Sequence, residues 1–310
     1  MTDEAAAAAT PGAGEEGLAK PVKPSHSRRS HRFGGLLAVP AGVLVAVGLV
    51  IPVLLTLEQS FHQALGYGAL SKGFSLQSYS TALSSSLFRS TILNALVVGA
   101  LAGIVSLVIA YPVAYYLAFK AGRHRNLLML LMIASMFSSY LVRVFAWRTI
   151  LGTNGLINSA LEAIGVIHQP LLFILFSRTA IIIVLTNVFV PMVVLLLTAA
   201  MQNIDPGLFE NARDLGANGI KVLVRVLLPM TMGTAVAAFC YTYVLSAGDY
   251  VTPQLVGGKG GILVGVAISD QYLRLGNGPI GAALSFITLI TFAATYALLV
   301  QLQRLKFRWV

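Results

Sequence analysis

The 310-residue chain is 57% hydrophobic and 10% charged, with a mean hydropathy of +0.82, whereas a soluble domain carries about 25% charged residues. That balance excludes a soluble globular protein and leaves a polytopic membrane protein, whose partner is the lipid bilayer. The net charge of +10 is dispersed in short clusters between apolar runs, a topology signal that points to no nucleic acid.

Residues 1–32 are rich in Ala, Gly, Pro and Ser and change from acidic to basic, so a disordered tail is expected. The apolar run 33–57 is too long for a signal peptide core and reads as a first transmembrane helix, with Pro40 and Pro52 as kinks or ends. A mixed polar loop follows to Arg89. The second span covers about 90–119 and contains Asn94, Ser106 and Pro112, which need partners from neighbouring helices. Lys120, Arg123, His124 and Arg125 make a basic turn, and the third span covers 126–147. Arg143 and Arg148 are expected to reach the outer interface. A short amphipathic piece lies between Leu156 and Ile164. The fourth span, 179–201, carries Asn187 and Pro191.

The segment 205–229, DPGLFENARDLGANGIKVLVRVLLP, is a wet insert between two apolar runs. Asp205 and Pro206 suit a helix start, and Leu208, Ala212 and Leu215 form an apolar stripe. Gly216 fits a left-handed helix end, Asn218 can cap a second helix, and Pro229 is expected to break the chain before the fifth span, 230–248. Asp249 follows at once, with Tyr241, Tyr243 and Tyr250 close in sequence. An acid at the edge of a membrane run is a candidate site for a cation, beside the simpler reading of a helix-end residue at the water interface. Asn187 could likewise shape a path or bind a neighbouring helix. The glycine-rich stretch near Gly257–Gly261 is expected to be a flexible outer loop. It is no phosphate loop, because Gly260 stands where Ser or Thr is required. The sixth span is about 280–302, followed by a basic terminus at 306–310.

Counted on alternate sides of six spans, 14 of the 21 basic residues fall with the termini and the 205–229 insert, and 7 fall opposite. The termini and the insert are therefore cytoplasmic, an N-in/C-in topology. No protease, hydrolase or metal-ligand pattern appears, so neither catalytic nor metal residues are assigned.

The spacing Glu210-Asn211-Ala212, three residues, Gly216, nine residues, Val226, one residue, Leu228-Pro229 resembles the EAA loop of ABC importer permeases. Asn211 and Val226 depart from its usual Ala and Ile. The stretches Phe189–Met192, Leu141–Trp147, Asn154–Asn158 and Gly248–Gly258 are similar to the spermidine/putrescine branch, and the likeness runs over 33–305. The resemblance implies an all-α, six-transmembrane-helix, MetI-like permease fold. It implies a cytoplasmic ABC ATPase dimer, a second homologous permease subunit and an extracytoplasmic solute-binding protein as partners. It also implies that ATP and Mg bind the ATPase and that this chain holds no cofactor. Glu210, Ala212, Arg213, Gly216, Leu228 and Pro229 would carry the coupling, and Asp249, Tyr250, Asn187 and Tyr241 would face the substrate path. Polyamines are favoured as cargo, with thiamine, phosphonate and opine permeases, or a secondary transporter, left as alternatives.

Overall fold

The computed structural model describes residues 30–65, 70, 71, 73–171 and 175–306. The expected tail therefore lies outside the described residues up to residue 29, as does the C-terminal stretch from 307 onward. The chain divides into two units, residues 1–53 and 54–310. The first contributes most of α1 (Ser30–Ser60), whose residues from Gly42 to Val53 are exposed and almost wholly apolar, as lipid requires.

The second unit is built on three long helices. After a short α2 (Gln77–Ser84) come α3 (Ser86–Phe119), α7 (Arg178–Gln202) and α10 (Leu228–Ala247). Between α3 and α7 lie α4 (Arg125–Met136), α5 (Tyr140–Ile150) and α6 (Leu156–Ala163). Between α7 and α10 lie α8 (Gly207–Asp214) and α9 (Gly219–Val222). The chain ends with α11 (Val264–Leu273) and α12 (Gly278–Lys306).

In lipid, helices gain nothing from hiding apolar surface and associate by close van der Waals packing, which small residues permit. The face that α3 buries is small in that sense: Ala95, Gly99, Ala102, Gly103, Ser106, Ala110 and Ala114 recur every three or four residues. A Cβ on Gly99 would lie 2.9 Å from Ala247 Cβ and from the Tyr243 carbonyl, and one on Gly103 would lie 2.8 Å from the Phe239 ring. These glycines set how near α10 approaches. Asn94 finds the partner it needs in the Ile262 carbonyl, 3.3 Å away.

Two of the buried clusters lie along these helices. One gathers Val98, Ala180, Ile181, Val184, Tyr243, Val256 and Leu263 toward the end of the bundle where α7 begins. The other gathers Ala114, Leu117, Val194, Leu197, Met201, Phe209 and Leu227 at the opposite end. Large side chains such as Leu93, Val97, Leu101, Leu289 and Leu298 remain exposed, consistent with a lipid-facing perimeter.

Five of the described helices are long and apolar enough to cross a membrane, and a bent pair, counted as one broken span, brings the number to six. That pair corrects the third predicted span. The helix expected over 126–147 breaks after Met136 and turns by 92° before Tyr140. The last turn of α4 tightens through Phe137 N–H to Ala134 O and Ser138 N–H to Ser135 O, and Ser139 starts α5 from extended backbone. A run of apolar letters could not reveal this turn. Its one visible trace is the polar sequence Ser138-Ser139-Tyr140 in mid-run.

Candidate functional site

Two regions carry the residues singled out by sequence. At the inner end, the insert folds as an elbow. Asp205 Oδ1 accepts the Gly207 N–H at 2.9 Å and opens α8. Gly216, at φ +80°, closes it. Its N–H meets the Arg213 carbonyl at 2.8 Å and the Ala217 N–H meets the Ala212 carbonyl at 3.0 Å, the double bond pattern of a Schellman end. Asn218 Oδ1 then accepts the Lys221 N–H at 2.9 Å and starts α9. The conformation needs glycine at 216 because a Cβ there is strained at positive φ whatever the free space.

Past α9 the chain does not break as expected. A π turn, Leu223–Leu227, carries the helix straight into α10, so the fifth membrane helix runs from Gly219 to Ala247. Pro229 sits in the first turn of α10. The wider π turn accommodates a residue that has no N–H and crowds the carbonyl four places back. Leu228 and Pro229 are half-buried, and the helix that starts at α9 runs unbroken past them into the membrane span.

The burial pattern of the elbow also differs from the predicted stripe. Phe209 is the residue that turns inward, edge-on to Phe119 with ring centroids 5.0 Å apart. Ala212 packs behind it, half-buried. Leu208 is exposed, and Leu215 and Ile220 point outward at 89% and 72% exposure. A large aromatic on α3 captures Phe209, and a leucine at the helix end has nothing to cover it. Glu210 and Arg213 are exposed, and among the described residues neither forms an ion pair.

At the outer end, Asp249 is half-buried and its carboxylate is engaged. Oδ2 accepts the Tyr140 hydroxyl at 2.7 Å and the Thr252 N–H at 3.1 Å, and Oδ1 accepts the Val251 N–H at 3.1 Å. Tyr140 OH also lies 2.6 Å from Thr252 Oγ1. The carboxylate thus starts the next helical turn and ties α5 to it. Tyr140 was not singled out by sequence, because it meets Asp249 and Thr252 across 109 and 112 positions of chain.

Tyr250 is exposed beside Asp249, Tyr241 is exposed on α10 and meets Phe189 of α7 edge-on at 6.1 Å, and Asn187 is exposed near the middle of α7. The structure therefore groups Asp249 with Tyr140 and Tyr241 with Phe189, and among the described residues no hydrogen bond joins Asn187 to either pair. Arg143 departs from expectation: the bend of the third span carries it inward, where Nη1 donates to the Val188 carbonyl at 3.4 Å, at mid-length of α7.

The glycine-rich stretch after α10 is packed, not loose. Gly257 and Gly261 face Ile181, where a Cβ would come within 2.9 and 2.8 Å of its Cδ1. Arg178 Nε donates to the Gly260 carbonyl at 2.9 Å.

The family model for the "Binding-protein-dependent transport system inner membrane component" matches residues 107–308, from the middle of α3 through α12. The chain belongs to this family. It is thus a component of an inner-membrane transport system. The chain is 32% identical over 237 residues to the spermidine/putrescine transport system permease protein PotB of Haemophilus influenzae, covering 76% of this chain and 82% of that one. It is 31% identical over 235 residues to PotB of Escherichia coli K12, with 76% and 85% covered. Among solved structures, the bacterial ABC transporter for import of the acidic polysaccharide alginate aligns with a TM-score of 0.71 at 16% identity, over 89% of this chain and 96% of that one. At that identity the likeness speaks for the fold.

Proposed function

We propose that this chain is the permease of an ATP-driven polyamine importer, coupled through the elbow to a cytoplasmic ABC ATPase dimer. The observation that carries the coupling is the contrast within α8 and α9. Phe209 fixes the elbow to the bundle while Leu215 and Ile220 stand almost bare on a surface that the charge bias assigns to the cytoplasm. Isolated exposed apolar side chains are common, but two large ones on a capped, two-helix projection suit a groove in a partner. Glu210 and Arg213 supply charges at its edge, and Ala212 and Gly216 permit close approach.

ATP and Mg belong to the ATPase subunits. Closure of those subunits carries the elbow, and the continuous helix through Leu228 and Pro229 moves α10 against α3 and α7. Rocking of this kind opens a site between two permease subunits, this chain and a second homologous one, toward a solute-binding protein outside. The polyamine cargo is supported by the likeness to the PotB proteins at about 30% identity over most of both chains. A dication needs carboxylates and aromatic faces. Tyr250 and Tyr241 are exposed to provide faces, Asn187 offers a polar group at mid-depth, and Asp249 holds the outer end in place through Tyr140. Uptake of labelled spermidine and putrescine, compared with thiamine and phosphonate, tests the cargo. Loss of polyamine uptake on deletion, restored by the chain, is expected. Restoration of another solute alone overturns the assignment.

A further inference from the structure

A pocket of about 420 Å³ opens between α3 and the elbow, lined by Tyr111, Pro112, Tyr115, Val222, Leu223 and Leu227, with Gly219. Two cations, Lys120 and Arg213, complete its wall, and among the described residues no carboxylate lines it. Its size is within the roughly 300–1,000 Å³ usual for small-ligand sites. The one hydroxyl nearest the membrane core is already occupied, since Tyr111 OH lies 3.1 Å from Thr231 Oγ1. Lys120 Nζ stands 5.9 Å above the centre of the Tyr115 ring, a cation–π contact that holds the ammonium near the pocket.

We propose that this pocket binds an anionic phospholipid of the cytoplasmic leaflet, its phosphate between Lys120 and Arg213 and its acyl chain along Tyr111, Pro112 and Leu227. The chemistry excludes simpler occupants. A free phosphate would meet the two cations but leave the apolar wall wet, and a zwitterionic lipid would fill the wall but bring a cation of its own beside Lys120 and Arg213. The location fits as well. The apolar part of α3 ends at Phe119, so Lys120 stands where acyl chains give way to headgroups, on the side that carries most of the basic residues. Basic pockets between membrane helices on that side suit anionic headgroups. The lipid would wedge α3 against α9 and the π turn, so it would bear on the same elbow that the coupling uses. The proposal does not depend on which solute is carried.

Native mass spectrometry of the assembled transporter, loaded with phosphatidylglycerol or phosphatidylcholine, tests it. Phosphatidylglycerol is expected to be retained in preference, and Lys120→Gln is expected to lower that preference about fivefold, the equivalent of ~1 kcal/mol per basic residue. Arg123→Gln, which removes an exposed cation outside the pocket, is expected to leave it unchanged. Equal retention of the two lipids overturns the proposal, as does an equal loss from both variants, which would mean diffuse attraction. Displacement by soluble glycerol phosphate at matched concentration also overturns it, because the acyl chain would then contribute nothing. Should Lys120→Gln fail to assemble, photoactivatable phosphatidylglycerol on the unaltered transporter decides. Adducts within 111–120 and 213–227 support the site, and adducts confined to other segments refute it.

Discussion

The elbow and the Asp249 cluster sit at opposite ends of the same bundle and use their side chains in opposite ways. The elbow leaves apolar groups, Leu215 and Ile220, uncovered in water, while the outer cluster half-buries a carboxylate and a phenol and pairs them with each other. The first arrangement costs stability unless something covers it. The second holds its own parts. The difference teaches where to look for a partner: on the surface whose chemistry is incomplete without one, which here is the elbow.

If the elbow is fixed only by what it buries, Phe209→Ala should damage it most. Removing a nearly buried phenyl group costs roughly 3–5 kcal/mol, and the expected readout is a lowered melting temperature of the purified chain together with loss of ATPase co-purification. The outer cluster should be next. Tyr140→Phe takes one donor from Asp249 and leaves the carboxylate short of a bond, at a cost of about 1–3 kcal/mol. Thermal unfolding in detergent would read the loss, with the ATPase still bound. Asn218→Ala removes the cap of α9 and should cost ~1 kcal/mol, visible as faster amide exchange confined to 219–222. Smallest for stability is Leu215→Ala, expected within about 0.5 kcal/mol as for other exposed sites, yet it should weaken ATPase binding. The pair sharpens the comparison: Tyr140→Phe changes stability with coupling intact, and Leu215→Ala changes coupling with stability intact.

Much of the elbow was legible because its determinants are local. Asp205, Gly216 and Asn218 act on backbone groups within a few residues, so their letters state their geometry. What escaped was set by distant neighbours. Phe209 replaced Leu208 and Leu215 as the inward residue because Phe119, on another helix, receives its edge. The helical continuation through Leu223–Leu227 escaped because a π turn has no residue signature and Pro229 argued for a break. At the outer end, Asp249 stood out as a charge beside an apolar run, but its partner Tyr140 depended on a 92° bend inside the third span. The glycines at 257 and 261 looked flexible for the same reason: Ile181, which packs against them, lies far back in the chain.

The central claim is that the elbow projects into the cytoplasm and is held there by an ATPase. Cys240 is buried and is the only cysteine in the chain, so Leu215→Cys supplies a single exposed thiol with little background. Treated with a short thiol-reactive cross-linker in inside-out membrane vesicles, Leu215→Cys is predicted to give one adduct with the ATPase subunit and to resist impermeant maleimide applied outside intact cells. Labelling of the introduced thiol from outside, with no ATPase adduct, would contradict the account.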